Sequence, residues 1–189
     1  EGRPAEMEDL EAIQLASGQA VELANQLMNY GRSDREENET FDLTLQLQQL
    51  APMLQAIMPP EIKLTTAFPD QPMLLRENPF HIDQMVVNLV LNAQEALPEG
   101  GWIELTAVVD HLENGKPAVR LEVADNGTGI SDSVKARLFE PFFTTKPSGK
   151  GTGIGLASVK EAIRGFGGTI KVESEAGQGS RFIILLPLA

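Results

Sequence analysis

The stretch Phe139-Glu140-Pro141-Phe142-Phe143-Thr144-Thr145-Lys146-Pro147-Ser148-Gly149-Lys150-Gly151-Thr152-Gly153-Ile154-Gly155-Leu156 decides how this chain is read. Three of the eight phenylalanines fall in its first five residues, in a segment with neither helical nor strand period. Four glycines then alternate with other residues from Gly149 to Gly155, and helical periodicity resumes after them. A helix that opens on glycines presents free backbone N–H groups that phosphate oxygens can approach closely. Lys150 is followed by glycine rather than Ser or Thr, which excludes a Walker A loop, and no strand precedes the glycines, which excludes a dinucleotide fingerprint. The phenylalanine segment admits two readings: a loop that folds its hydroxyls and ammonium over a phosphate chain, or a surface loop pinned to the core by its aromatics.

Two further clusters lie upstream. Asn88-Leu89-Val90-Leu91-Asn92-Ala93 sets two asparagines at i and i+4 on one face of an otherwise apolar helix. Magnesium takes oxygen ligands and fills much of its shell from water and phosphate, so one asparagine carbonyl suits it; a neighbouring loop could equally satisfy both amides. Asp125-Asn126-Gly127-Thr128-Gly129-Ile130 directly follows a hydrophobic strand. A carboxylate at a strand end can accept a hydrogen bond from an amino group such as that of adenine, and glycines let the backbone approach a flat base. A tight turn that merely closes the strand would use the same residues.

Around these clusters the chain has a simple organisation. From Met7 to Tyr30, apolar residues at Leu10, Ile13, Ala16, Ala20, Leu23, Leu27 and Tyr30 form one stripe of a long amphipathic helix, which must pack on the globular part or on another chain. Residues 1–34 are therefore expected to be a helical arm. The polar run Ser33–Thr40 is a linker, and residues 41–189 form the main domain. In that domain the pattern predicts a helix from Leu43 to Leu54, strands Ile62–Phe68 and Met73–Leu75, and a helix starting at Pro79 and carrying the asparagines. Strands Trp102–Val109 and Ala118–Ala124 flank an Asn114-Gly115 turn; a helix Ser131–Leu138, a helix from about Thr152 to Phe166, and strands Thr169–Ser174 and Arg181–Leu186 follow. Hairpin-linked strands with interspersed helices and no regular βαβ alternation predict an α+β sandwich, a mixed sheet with helices on one face.

Composition narrows the partners. The 189 residues carry a net charge of -12, which argues against nucleic acid and anionic lipid, both of which need a basic face. With no cysteine the chain suits a reducing compartment, and it is expected to be cytoplasmic, as no stretch reaches the roughly 20 apolar residues of a membrane span.

Taken together, in this order and spacing, the four clusters resemble the asparagine box, first glycine box, phenylalanine box and second glycine box of the sensor histidine kinases. The ATP-binding domain of those kinases is a two-layer α/β sandwich of the Bergerat fold, and the resemblance spans about Phe41 to Ala189. It implies that Asn92 holds magnesium, that Asn88 lies beside the phosphates, and that Asp125 binds the adenine amino group with Gly127, Gly129 and Ile130 around the base. Thr145, Lys146 and Lys150 are implied phosphate contacts within a lid from Phe139 to Lys150. Gly151, Thr152, Gly153, Ile154, Gly155 and Leu156 would supply backbone amides, and Ser180 a hydroxyl near adenine. ATP and magnesium are the implied ligands. A histidine-bearing dimerisation domain and a response-regulator receiver domain are the implied partners, with the arm of residues 7–30 resembling the second helix of a dimerisation hairpin and so a possible homodimer contact.

Three departures from the family pattern matter. A phospho-acceptor histidine followed by an acidic residue is absent: His81 and His111 lie in other contexts, so the acceptor must come from elsewhere. Glu95 stands where many relatives carry a basic residue, so this helix lacks its usual cation for phosphate. Asn88 stands where the ATPase branch carries a glutamate, and an amide cannot act as a general base, so hydrolysis should be slow while transfer to a histidine remains open. Two other activities fit the boxes: a serine kinase of the anti-sigma-factor type, against which the arm speaks, and a nucleotide-sensing module without transfer.

Overall fold

The computed structural model describes residues 38–146 and 151–189; the helical arm expected at 1–34 and Lys150 lie outside the described residues. Strand β1 (Glu39–Asp42) leads into helix α1 (Leu43–Ile57). Asp42 caps that helix: its Oδ1 accepts from Thr44 N at 2.9 Å and also from Met73 N at 3.1 Å, so one carboxylate both starts the helix and ties down a segment 31 residues away. Strand β2 (Ile62–Ala67) and strand β3 (Leu74–Glu77) follow, then helix α2 (Pro79–Glu95). Asn78 caps α2 by accepting from Phe80 N at 3.0 Å, and Pro79 occupies the first turn, where its missing N–H costs nothing.

Strands β4 (Gly101–His111) and β5 (Pro117–Asp125) form the central hairpin, followed by the four-residue helix α3 (Asp132–Lys135), helix α4 (Gly155–Gly165), and strands β6 (Thr169–Ser174) and β7 (Ser180–Pro187). The sheet runs β2-β4-β5-β7-β6; β2 and β4 are parallel and the other pairs antiparallel, which makes it mixed, as expected. Its alternation sends Ile103, Leu105, Leu121, Val123, Phe182, Ile184 and Leu186 to one buried face. Helix α2 closes that face with Ile82, Met85, Val86, Leu89, Val90 and Ala93, flanked by α1 and α4. The apolar positions of α2 that its helical period picks out are therefore core, and its remaining polar residues are left for the site.

Three elements differ from the sequence reading. The linker was expected to run through Thr40, but Glu39–Asp42 is a strand paired antiparallel with β3, whose bounds shift from 73–75 to 74–77. Glu39–Asp42 is short and charged, with no apolar alternation to betray it, and only its pairing with β3 makes it a strand. The helix expected over 131–138 holds for four residues and then gives way to turns, since Leu138 and Phe139 are only half-buried and supply too little apolar face to extend it. Helix α4 starts at Gly155 rather than Thr152, because Gly153 adopts a left-handed φ of 65° that ends the irregular stretch.

Candidate functional site

The site lies where α2, the end of β5 and the start of α4 meet. Asn88 and Asn92, one turn apart on α2, are half-buried, and neither amide has a hydrogen-bond partner among the described residues. A Cβ on Gly155, the first residue of α4, would sit 3.9 Å from the Asn88 carboxamide, so the asparagine face of α2 looks onto the N-terminus of α4. No side chain among the described residues caps that N-terminus. The result is a gap bounded by two open amides on one side and uncapped N–H groups on the other, a suitable lining for phosphate oxygens. Asn92 also suits a magnesium ion: one half-buried carbonyl oxygen without a partner among the described residues, with the rest of the shell left to phosphate and water.

The other end of the site is built on the β5–β7 pair. Asp125 and Ser180 are partners in register, and both are buried. Asp125 Oδ1 accepts from Gly127 N at 2.8 Å. Burial pushes the Asp125 carboxyl above its ordinary value, against the opposing pull of the Gly127 and Ser180 N–H groups. Ser180 Oγ lies 3.1 Å from Ser174 Oγ, and Ser174 Oγ in turn accepts from Ile130 N at 2.8 Å and donates to the Gly179 carbonyl at 2.8 Å. One serine at the end of β6 thus fastens both loops that flank Asp125. Thr128 N donates to Ala96 O and Gly177 N to Thr128 O, which stitches the 126–130 loop between α2 and the β6–β7 turn.

This packing changes the meaning of two glycines. A Cβ at Gly127 would lie 2.3 Å from the Ala96 carbonyl oxygen, and one at Gly129, where φ is 66°, would lie 2.0 Å from the Glu175 carbonyl oxygen. Glycine is required at both positions by the protein's own backbone, independently of any base.

The phenylalanine segment is held at its root. Arg137 lies over the Phe143 ring at 4.2 Å and Lys160 over the Phe139 ring at 5.1 Å, whereas Phe142 is 76% exposed with a left-handed φ of 66°. Aromatic anchoring therefore falls to two of the three phenylalanines. Phe142 N donates to Gly153 O at 3.0 Å, which joins the segment to the glycine loop. Lys146 N donates to Thr144 Oγ1 at 3.1 Å, and Lys146 Nζ pairs with Glu95 at the end of α2. Thr152 Oγ1 accepts weakly from Ile154 N at 3.4 Å, and Leu156 packs on the core. Thr145 is exposed and has no hydrogen bond among the described residues.

Asn88 with Gly155, and Asp125 with Ser180, are thus brought together from segments far apart in the chain, while Gly127 and Ile130 belong to the loop that directly follows Asp125. Three residues escaped the sequence reading. Ser174 gave no signal beyond lying at a strand end, six residues before Ser180. Asn126, whose Oδ1 accepts from Trp102 N at 2.7 Å, ties the start of β4 to the loop after β5, a role that its place in an Asp-Asn-Gly turn does not reveal. Glu95, three residues after Asn92 and so on the same helix face, pairs with Lys146, a partner that no local pattern signals.

A family model described as histidine kinase-, DNA gyrase B-, and HSP90-like ATPase matches residues 77–189. The chain belongs to that family. It carries the family's ATP-binding catalytic domain, the α+β fold with a mixed sheet. It is similar to the sensor kinase CckA of Brucella abortus, 36% identical over 95% of this chain and 20% of that protein. Sporulation kinase D of Bacillus subtilis is 39% identical over 64% of this chain and 22% of its own length. The chain therefore spans about a fifth of the length of these curated relatives. Among solved structures, full-length ShkA in complex with AMPPNP superposes with a TM-score of 0.74 at 27% identity, covering 100% of this chain and 40% of that one. The catalytic domain of the histidine kinase ThkA gives 0.68 at 29% identity, covering 80% and 96%.

Proposed function

We propose that this chain is the catalytic part of a two-component sensor histidine kinase, transferring the terminal phosphoryl group of ATP to a histidine on a dimerisation domain for relay to a response-regulator receiver domain. The observation that carries the proposal is the gap between the open amides of Asn88 and Asn92 and the uncapped start of α4, together with the buried carboxylate of Asp125 at the end of β5. Adenine docks by its amino group on the Asp125 carboxylate, beside Ser180. The triphosphate then runs toward Asn88 and the α4 N-terminus, with Thr145, Lys146 and Lys150 as further phosphate contacts. Magnesium on Asn92 would neutralise charge between the outer phosphates.

In the transfer, an imidazole nitrogen of the incoming histidine forms a bond to the γ-phosphorus as the bond to the β–γ bridging oxygen breaks, and ADP leaves with that electron pair. The chain's contribution is alignment and charge neutralisation; Asn88 offers no base to activate water, which favours transfer over hydrolysis. The arm of residues 1–34 belongs to the dimerisation hairpin in this reading and lets two copies associate. No helix among the described residues is long and apolar enough to cross a membrane, and the domain acts on the cytoplasmic side where ATP is available.

The experiment is incubation of the chain with labelled ATP, magnesium and a histidine-bearing hairpin from a sensor kinase. Acid-labile, base-stable label on the hairpin is the expected result. Nucleotide binding with no label on any hairpin offered would refute transfer and leave a nucleotide-sensing module.

A further inference from the structure

We propose that Glu95 is a positioning residue for phosphate binding: it holds the Lys146 ammonium against the asparagine face of α2, and so replaces the cation that this helix lacks. The inference rests on the nucleotide-site reading above. Helix α2 carries no basic residue in its last turn, and it ends on Glu95, whose charge adds to the negative end of the helix dipole. Alone, that arrangement would repel a polyphosphate lying along Asn88 and Asn92. Glu95 is three residues beyond Asn92, a rise of about 4.5 Å on the same face. Its carboxylate pairs with Lys146 Nζ across 51 residues of sequence, so a positive group stands one turn from the proposed magnesium ligand.

Other features make this more than a chance surface pair. The Lys146 stem is confined: a Cβ on Gly151 would lie 2.7 Å from Lys146 Cδ and 2.7 Å from Thr144 Oγ1, so the lysine packs directly on the glycine loop. Lys146 N is itself held by Thr144. An ammonium has three N–H donors, and Glu95 takes one, which leaves two for phosphate oxygens without breaking the pair. Among the described residues, the cations near this segment are engaged elsewhere: Lys135 with Asp132 and the Ser174 carbonyl, Arg137 with Glu140 and Phe143, and Lys160 over Phe139. A free lysine would have to give up its rotamer freedom on binding phosphate; one already held by Glu95 and Gly151 has given up much of it beforehand.

The test is calorimetric titration, with magnesium, of a nonhydrolysable ATP analogue and of ADP into the wild-type chain, Glu95→Ala, Glu95→Asp, Lys146→Met and the double variant Glu95→Ala/Lys146→Met. Lys146→Met should weaken the analogue by about tenfold or more, as expected for a lost charge-assisted bond. Glu95→Ala should weaken it by about threefold to fivefold, the range of a partly exposed ion pair, and change ADP less than about twofold. Glu95→Asp should recover part of the loss, and removing Glu95 in the Lys146→Met background should cost nothing further. Tighter analogue binding by Glu95→Ala would overturn the proposal, because Glu95 would then be sequestering Lys146 from phosphate or simply repelling the anion. Equal losses for ATP analogue and ADP, or equal effects of Glu95→Ala with and without Lys146, would also overturn it. Failure of the folded wild-type chain to bind either nucleotide would instead sink the site reading itself.

Discussion

Asp125→Asn is the substitution that most directly tests the proposed docking of adenine on the Asp125 carboxylate. Asp125 is 5% exposed, and its Oδ1 accepts from Gly127 N at 2.8 Å. The amide is nearly isosteric, so packing is preserved, but one acceptor oxygen becomes an NH2 donor. That donor faces the adenine amino group, itself a donor, and a charge-assisted hydrogen bond worth roughly 1.5–3 kcal/mol is lost, which corresponds to about 10- to 150-fold in affinity. Folding stability should move far less. Removal of a buried charge relieves its desolvation, and the remaining carbonyl oxygen can still accept from Gly127 N, so a net change within about 1 kcal/mol is expected. The variant also makes a positive prediction: a purine bearing an oxygen at position 6 can accept from the new NH2, so preference should shift from adenosine toward inosine. Calorimetric titration of both nucleosides, with a urea unfolding curve for each protein, gives all three quantities. Unchanged adenosine affinity in a folded variant would refute the assignment of Asp125 to the base, and equal weakening toward adenosine and inosine would refute the donor–acceptor argument while leaving a role in loop packing.

Three other outcomes follow from the same geometry. Because burial raises the Asp125 carboxyl above its ordinary value, adenosine affinity should fall on acidification at a higher pH than exposed aspartates titrate; the folded state takes this proton more readily than the unfolded chain does, so this group's own contribution favours folding as pH falls and binding is lost before structure, as adenosine titrations and circular dichroism across pH would register. Gly129→Ala combines a left-handed backbone with a Cβ 2.0 Å from the Glu175 carbonyl oxygen, and urea unfolding should report a loss of roughly 2–5 kcal/mol. Gly155→Ala meets only ordinary contact at 3.9 Å and adds a better helix former, so stability should hold or rise by up to about 1 kcal/mol while affinity for the ATP analogue falls because the methyl faces Asn88 across the phosphate gap.

Much of the domain was legible because its signals are local and redundant. The apolar positions Ile82, Met85, Val86, Leu89, Val90, Ala93 and Leu97 all proved buried, since a 3.6-residue period has one face to bury and little alternative. The Asn114-Gly115 turn lies at the tip of the β4–β5 hairpin, with Gly115 at a φ of 79°, although the connection runs from Leu112 to Lys116 rather than through two residues. The segment Glu39–Asp42 was missed because its strand character is created by β3, with Glu39 opposite Glu77, rather than by its own composition.

The sequence by itself determined which chemistry was available: amides on an apolar helix, a carboxylate ending a strand, glycines opening a helix. These follow from residue type and spacing, which are properties of a few consecutive residues. Only the tertiary structure decided which groups meet. Ser174 beneath Ile130, the backbone carbonyls that demand Gly127 and Gly129, and Glu95 against Lys146 are all pairings made by distant segments. Such contacts depend on where the sheet and helices carry their ends, and no local pattern encodes that, because the partner residue lies tens of positions away and is selected by packing of the core between them.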